Sequence, residues 1–319
     1  MFKEILTFPS RHLIYVIPST IVSGLAVGYF VDASSLKGFI LPVVVFMIYP
    51  TMIGFELREL LDLSERKLVV LSLFINFILV PIVAYVLGLI FLLRNPELFA
   101  GLAIASLLPT SNMTIAYTMF AGGNVKASVK LVALSLILGS VLAPWYLYFM
   151  IGRYVPVDIW LIFRTIGIVV FLPLTMGILT FKYLKKRYTE EEFNKGIKPL
   201  LPGISVWGVI FVIFTSASMN SKLIFSSADN LVIAIFVQTL FYLINYVLAV
   251  AGSKQSKLNR ADSYTLVYST GLRNLAISIG LATTFGVQAA LMVSLAFLFQ
   301  AQAAAWFTRL DRKYQFLPS

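Results

Sequence analysis

Pro109-Thr110-Ser111-Asn112-Met113-Thr114 and Ser269-Thr270-Gly271-Leu272-Arg273-Asn274 are two short polar breaks in stretches otherwise apolar enough to span a membrane. Asn112 and Asn274 stand 162 positions apart, and that offset organises much of the chain. Polar groups and a guanidinium are costly in hydrocarbon, so they persist where they face a cavity, a partner or a substrate. Interrupted helices paired between two halves of a membrane protein are a pointer to a transporter's binding site.

The composition agrees with that setting. Of 319 residues, 59% are hydrophobic and 12% charged, far from a soluble domain. Apolar runs of roughly 18 or more residues recur throughout, which reads as an all-α polytopic membrane protein. The run from His12 to Phe30 lacks a small-residue cleavage pattern and is taken as the first span. Ten spans are expected, at 12–30, 36–55, 67–93, 98–120, 125–149, 157–181, 199–215, 230–251, 264–285 and 288–307. Cysteine is absent and His12 is the single histidine. Disulfides, thiolate sites and a Ser-His pair inside the membrane are thereby excluded, and no enzyme is expected.

The formal charge of +11 is a topology signal, not a nucleic-acid footprint. Lys130, Arg164 and Arg273 fall inside the expected spans, and Lys37, Arg94, Arg153 and Lys222 fall on one side of them. The other 18 of the 25 Lys and Arg share the side of both termini. This asymmetry places both termini in the cytoplasm of a cell whose inner (plasma) membrane the chain crosses. The hydrophilic segment Lys182–Lys198 divides five spans from five, so the second half inserts upside down relative to the first, as two inverted five-helix repeats. At the 162 offset, Asn112, Ile115, Val125 and Ala127 meet identical residues, and Asn76 falls on Gln238. Pro81, Pro109 and Pro144 interrupt the third to fifth spans, freeing carbonyls that need a cavity or a neighbouring helix.

These residues carry a resemblance to the bile acid:sodium symporter superfamily, which includes the arsenite efflux permeases. The stretch from Pro109 through Ser111-Asn112 and Gly123-Asn124-Val125 to Ser128 is similar to that family's first crossover helix and hairpin. Gly271-Leu272-Arg273-Asn274 resembles the second crossover, usually Gly-Met-Gln-Asn, and Asn76 before Pro81 resembles a polar residue five before a proline. The resemblance implies a core domain of spans three to five and eight to ten (67–150 and 230–307). It also implies a panel of spans one, two, six and seven (12–55 and 157–216). The broken spans four and nine would cross between them, and substrate would bind beside that crossing. The residues it marks for substrate are Asn76, Thr110, Ser111, Asn112, Thr114, Arg273 and Asn274.

The departures are as informative. The symporters hold sodium with a ninth-span carboxylate where this chain has Ser269, and Arg273 stands at the Gln position. A fifth-span threonine becomes Val132, although Ser128 is retained. The degenerate sodium positions are then Asn112, Ser128, Ser269 and Thr270. All 14 acids fall in loops or at span ends. A sodium ion about 4 Å from Arg273 would be repelled by roughly 4 kcal/mol at an effective dielectric of 20, so sodium is expected to bind weakly or not at all, and no other cofactor is expected. The permeases' fourth-span cysteine corresponds to Thr110, a poor ligand for trivalent arsenic.

Three roles stay open for Arg273: pairing with carbonyls freed by the break, contacting an anion, or standing as a fixed cation where sodium sat. Asn112 and Asn274 are expected to cap one another at the crossing. Lys130, one turn below Lys126, is expected to snorkel or to serve an anion-attracting vestibule. The expected function is alternating-access transport of a small organic anion by a monomer or weak homodimer in the lipid bilayer. The alternatives are a metalloid efflux permease and a non-transporting receptor or channel.

Overall fold

The computed structural model describes residues 2–54, 65–226 and 228–318. Among them the regular structure is helical, with no strand. The short helix α1 (Phe2–Arg11) precedes α2 (Leu13–Phe30) and α3 (Lys37–Met52). Then follow α4 (Arg66–Phe91), α5 (Pro96–Leu107), α6 (Asn112–Ala121), α7 (Val125–Ile151) and α8 (Ile159–Arg187). The chain ends with α9 (Leu201–Ser226), α10 (Ala228–Gln255), α11 (Arg260–Gly271), α12 (Leu275–Ala282) and α13 (Val287–Tyr314). Six helical stretches among the described residues are long and apolar enough to cross a membrane: α4, α7, α8, α13, Glu190–Met219 and Leu231–Gln255. The seventh span, expected to end at 215, continues helical to Ser226; the expected end of the second, at 55, lies outside the described residues.

Proline chemistry sets the irregular points. Pro81 has no N–H to bond the carbonyl of Phe77, and α4 widens into a π turn over Ile75–Leu79. The freed Phe77 carbonyl accepts instead from the Tyr146 hydroxyl on α7 at 2.5 Å. The π turn carries Asn76 inward, where it is 1% exposed. A second π turn, Gly167–Phe171 in α8, precedes Pro173 in the same way. Pro109 disfavours helical geometry at Leu108, and α5 stops at Leu107. Gly122, at φ +75°, closes α6 in the left-handed conformation, and Asn124 caps α7 by accepting from the Ala127 N–H at 3.0 Å.

Two sets of helices pack mainly among themselves. α2, α3, α8 and α9 form one, with α1 lying on α9. Gly24 and Gly28 of α2 sit directly on the α9 backbone at Phe214 and Ser218. The Ser218 hydroxyl donates to the Gly24 carbonyl at 2.9 Å and the Ser221 hydroxyl to that of Leu25 at 2.5 Å. This is a small-xxx-small contact, in which missing side chains let backbones approach. The other set is α4–α7 and α10–α13, in which Gly101 of α5 lies against Ala289 and Met292 of α13. The sets meet chiefly where α13 touches α9 and α2 and where α12 touches α3.

In the second set each hairpin link docks on the start of the other broken helix. Asn124 donates from its backbone to Thr265 Oγ1 (2.9 Å) and the Ala261 carbonyl (3.2 Å), and from Nδ2 to Asp262 Oδ1 (2.9 Å). Reciprocally, Glu97 at the start of α5 accepts from the Gln288 N–H at 3.1 Å. Gly286 has φ +126° and abuts the Glu97 carboxylate, so a side chain there is excluded by both conformation and space.

Lys130 neither snorkels nor lines an open vestibule. It is 2% exposed, and its Nζ pairs with Glu65 Oε2 at 3.0 Å. An ammonium buried on α7 needs such a partner, and Glu65, just ahead of α4, reaches it. At the same end Asp311 is fully buried and accepts from Arg260 Nη2 (2.6 Å), the Tyr264 hydroxyl (2.5 Å) and the Leu317 N–H (2.9 Å), which folds the C-terminal residues back onto α13.

Candidate functional site

The two breaks touch. The Asn274 N–H donates to the Leu108 carbonyl at 2.8 Å, joining the second break to the first through backbone alone. Around this contact four helix ends converge: α5 and α11 terminate there, and α6 and α12 begin there. Thr114 Oγ1 in the first turn of α6 donates to the Tyr268 carbonyl at 3.4 Å and accepts from the Ser111 N–H at 3.3 Å. Thr110 has φ +54°, an unfavourable left-handed conformation for a β-branched residue. Its hydroxyl donates toward the carbonyls of Pro109 (2.8 Å) and Leu131 (3.3 Å), tying the strained residue to α7.

Arg273 is the largest fully buried side chain among the described residues. Its Nε donates to the Ala105 carbonyl at 3.2 Å and its Nη2 to the Ser106 carbonyl. Nη1 donates to Asn76 Oδ1 at 2.6 Å and, at 3.5 Å, to the Thr270 carbonyl. Its own N–H is held by Gln300 Oε1 at 3.0 Å. Ala105, Ser106 and Thr270 lie in the last turns of α5 and α11, where helix carbonyls lack intrahelical partners. Each helix C-terminus carries about half a negative elementary charge, so two of them come close to balancing one guanidinium. None of its hydrogen-bond partners among the described residues is a carboxylate.

Asn76 turns its other end away from Arg273. Its Nδ2 donates to the Ser72 carbonyl (2.9 Å) and Oγ (3.2 Å) and, at 3.5 Å, to Thr270 Oγ1. Ser72 Oγ is 3.0 Å from Ser269 Oγ. The structure therefore gathers Asn76, Ser269, Thr270 and Arg273 into one connected polar network. Thr110, Ser111, Thr114 and Asn274 lie at the backbone junction beside it. Asn274 does not reach across: its Oδ1 caps its own helix, 3.5 Å from the Ile277 N–H. The Asn112 side chain lies outside the described residues. Ser128 donates to the Val125 carbonyl of its own helix at 2.7 Å.

Several participants escaped the sequence reading. Ser72 was legible, being one helical turn before Asn76 on the same face. Gln300 carried no local signal. On α10, Tyr242, Asn245 and Tyr246 are buried, and both hydroxyls and both amide atoms lack a hydrogen-bond partner among the described residues. The Tyr246 phenol rests on the Cα of Gly271, so any side chain at 271 would strike it.

Comparison with known proteins gives consistent results. A model of the family described as "Sodium Bile acid symporter family" matches residues 41–227. YbaS of Bacillus subtilis, described as uncharacterized, is 25% identical over 80% of this chain and 82% of its own. The arsenical-resistance protein Acr3 of Corynebacterium glutamicum is 22% identical over 86% of this chain and 81% of its own. The sodium-dependent transporter YocS of Bacillus subtilis, also described as uncharacterized, is 23% identical over 67% of this chain and 64% of its own.

Proposed function

The chain belongs to the sodium bile acid symporter family, a family of membrane transporters, and from that premise we propose that it moves a small organic anion by alternating access. The observation that carries this reading is the Arg273 guanidinium, fully buried where the two breaks meet and bonded there only to uncharged groups. With the C-termini of α5 and α11 turned to Arg273, the N-termini of α6 and α12 remain, each offering about half a positive charge at the same junction. Such a place favours an anion. Arg273 itself braces the junction and acts mainly through its field, since four of its five N–H donors are directed at protein acceptors.

On this reading Arg273 is also the fixed cation of the site. A metal ion at the broken helices would use C-terminal carbonyls and amide oxygens, and Arg273 already occupies those of Ala105, Ser106 and Asn76. Ser269, with a hydroxyl where the family keeps a carboxylate, adds no charge to attract sodium. The coupling is therefore sodium-independent.

The reciprocal docking of the two hairpin links supports ten spans in two inverted five-helix repeats, with α5/α6 and α11/α12 as the broken fourth and ninth. The two packing sets support a core of α4–α7 and α10–α13 moving against a panel of α2, α3, α8 and α9. The charge asymmetry supports cytoplasmic termini. In this cysteine-free chain, Asp32→Cys in intact cells should react with an impermeant maleimide and Thr189→Cys should not; the opposite pattern excludes that orientation.

The likeness to Acr3 favours a second reading, a metalloid efflux permease. Thr110 and the absence of cysteine weigh against it, because trivalent arsenic prefers thiolate. Reconstituted liposomes loaded with labelled organic anions, and separately with arsenite, decide between the two. Saturable movement of a carboxylate or sulfonate without movement of arsenite is the expected result. Arsenite movement alone would overturn the anion reading.

A further inference from the structure

Where α4 ends and α10 begins, the surface is hollowed into a groove of about 590 Å³. Ile90, Phe91, Leu93, Ile233 and Phe236 form its apolar walls, and Arg94 stands among them. Phe91 and Phe236 meet edge to face with centroids 5.4 Å apart, giving the groove a stiff aromatic floor. Ile90 is 64% and Leu93 46% exposed, so the walls face outward from the helix bundle.

Arg94 is unusual in three respects. It is one of only four cations on the cation-poor side of the chain. Its guanidinium is exposed and makes no hydrogen bond or ion pair with a described residue. The acid nearest in sequence, Glu97, accepts from the Gln288 N–H at 3.1 Å and makes no ion pair with Arg94. An outward-facing apolar channel, with an exposed guanidinium just past α4 that no described residue pairs, matches one ligand chemistry. A phosphate takes the bidentate fork of Arg94 while an acyl chain fills the groove.

We propose that this groove is a specific binding site for one phospholipid, held by its phosphate on Arg94 and by an acyl chain between α4 and α10. The site lies on the end of α4, the link that follows it and α10, and does not rest on the transport reading. A lipid seated there covers apolar wall that would otherwise have to pack against mobile bulk lipid.

The test is lipid retention by the purified chain, read by native mass spectrometry in detergent after exchange with phosphatidylglycerol. The wild type should keep about one lipid per chain through extensive washing. Arg94→Ala, and separately Leu93→Trp, which fills the groove from an exposed position, should each reduce retention at least fivefold while melting with the wild type in lipid-free detergent. Diacylglycerol, which has the chains without the phosphate, should not be retained, and inorganic phosphate at millimolar concentration should not displace the bound lipid. Equal retention by both variants and the wild type would overturn the proposal. So would retention of diacylglycerol equal to that of phosphatidylglycerol, or displacement by phosphate alone, which would make the site an anion site and not a lipid site. Should a variant fail to fold, the two ligand arms on the wild type decide alone.

Discussion

Arg273→Gln is expected to abolish transport and to lower stability by roughly 2–5 kcal/mol. The balance has two sides. Three hydrogen bonds from the charged guanidinium, to the carbonyls of Ala105 and Ser106 and to Asn76 Oδ1, contribute about 1.5–3 kcal/mol each. Removing the charge recovers about 2.5–3.5 kcal/mol of burial cost on membrane-insertion scales. The bonds win, and glutamine is too short to replace them. Arg273→Lys keeps the charge but not the planar fork, so it should recover part of the transport and less of the stability. The readouts are anion uptake in liposomes and thermal melting of the same preparations. If Arg273→Gln melts with the wild type, the guanidinium does not hold the broken helices; if it transports at the wild-type rate, its charge has no part in substrate handling.

Gly28→Ala should lower stability by at least about 3 kcal/mol, a large effect for one methyl group. The added Cβ would meet the carbonyl oxygen of Ser218 and lie 2.5 Å from its Cα and 2.6 Å from its carbonyl carbon. All three are backbone atoms that no rotamer change moves aside. α2 and α9 would have to separate, weakening the bonds from Ser218 and Ser221 to the carbonyls of Gly24 and Leu25. Gly38→Ala is the matched control, since nothing lies within 4 Å of its added Cβ. It should melt at or above the wild type, because Gly in a helix costs about 0.5–1 kcal/mol relative to Ala. Equal melting of the two variants would contradict the close approach of α2 and α9.

What the sequence revealed of the site it revealed by contrast. Pro109 and the polar residues around it stand out against apolar runs because hydrocarbon tolerates no idle donor or acceptor. Asn76 before Pro81 was legible for the same reason, and the π turn there shows why the spacing matters. What stayed hidden depended on distant partners. The Gly24-xxx-Gly28 pair was present in the sequence but merged into an apolar run, and its meaning came from Ser218 and Ser221, which lie about 190 residues on. Lys130 resembled a snorkelling residue until Glu65, 65 positions earlier, was found beside it. For Arg273 the sequence left three roles open. The carbonyls around its guanidinium carry the bracing role, and the fixed charge belongs to the proposed function.

That fixed charge is tested most directly by melting the purified chain in sodium chloride and in choline chloride at matched ionic strength. An ion bound only by the folded state adds about 2.7 kcal/mol of stability at 100 times its dissociation constant, a shift easily resolved. With Arg273 occupying the oxygens that a sodium ion would need, the two curves should overlap at every concentration. A saturable rise of the melting temperature with sodium would show that Ser128, Ser269, Thr270 or the carbonyls of the breaks still assemble an ion site beside the guanidinium, and would contradict the account.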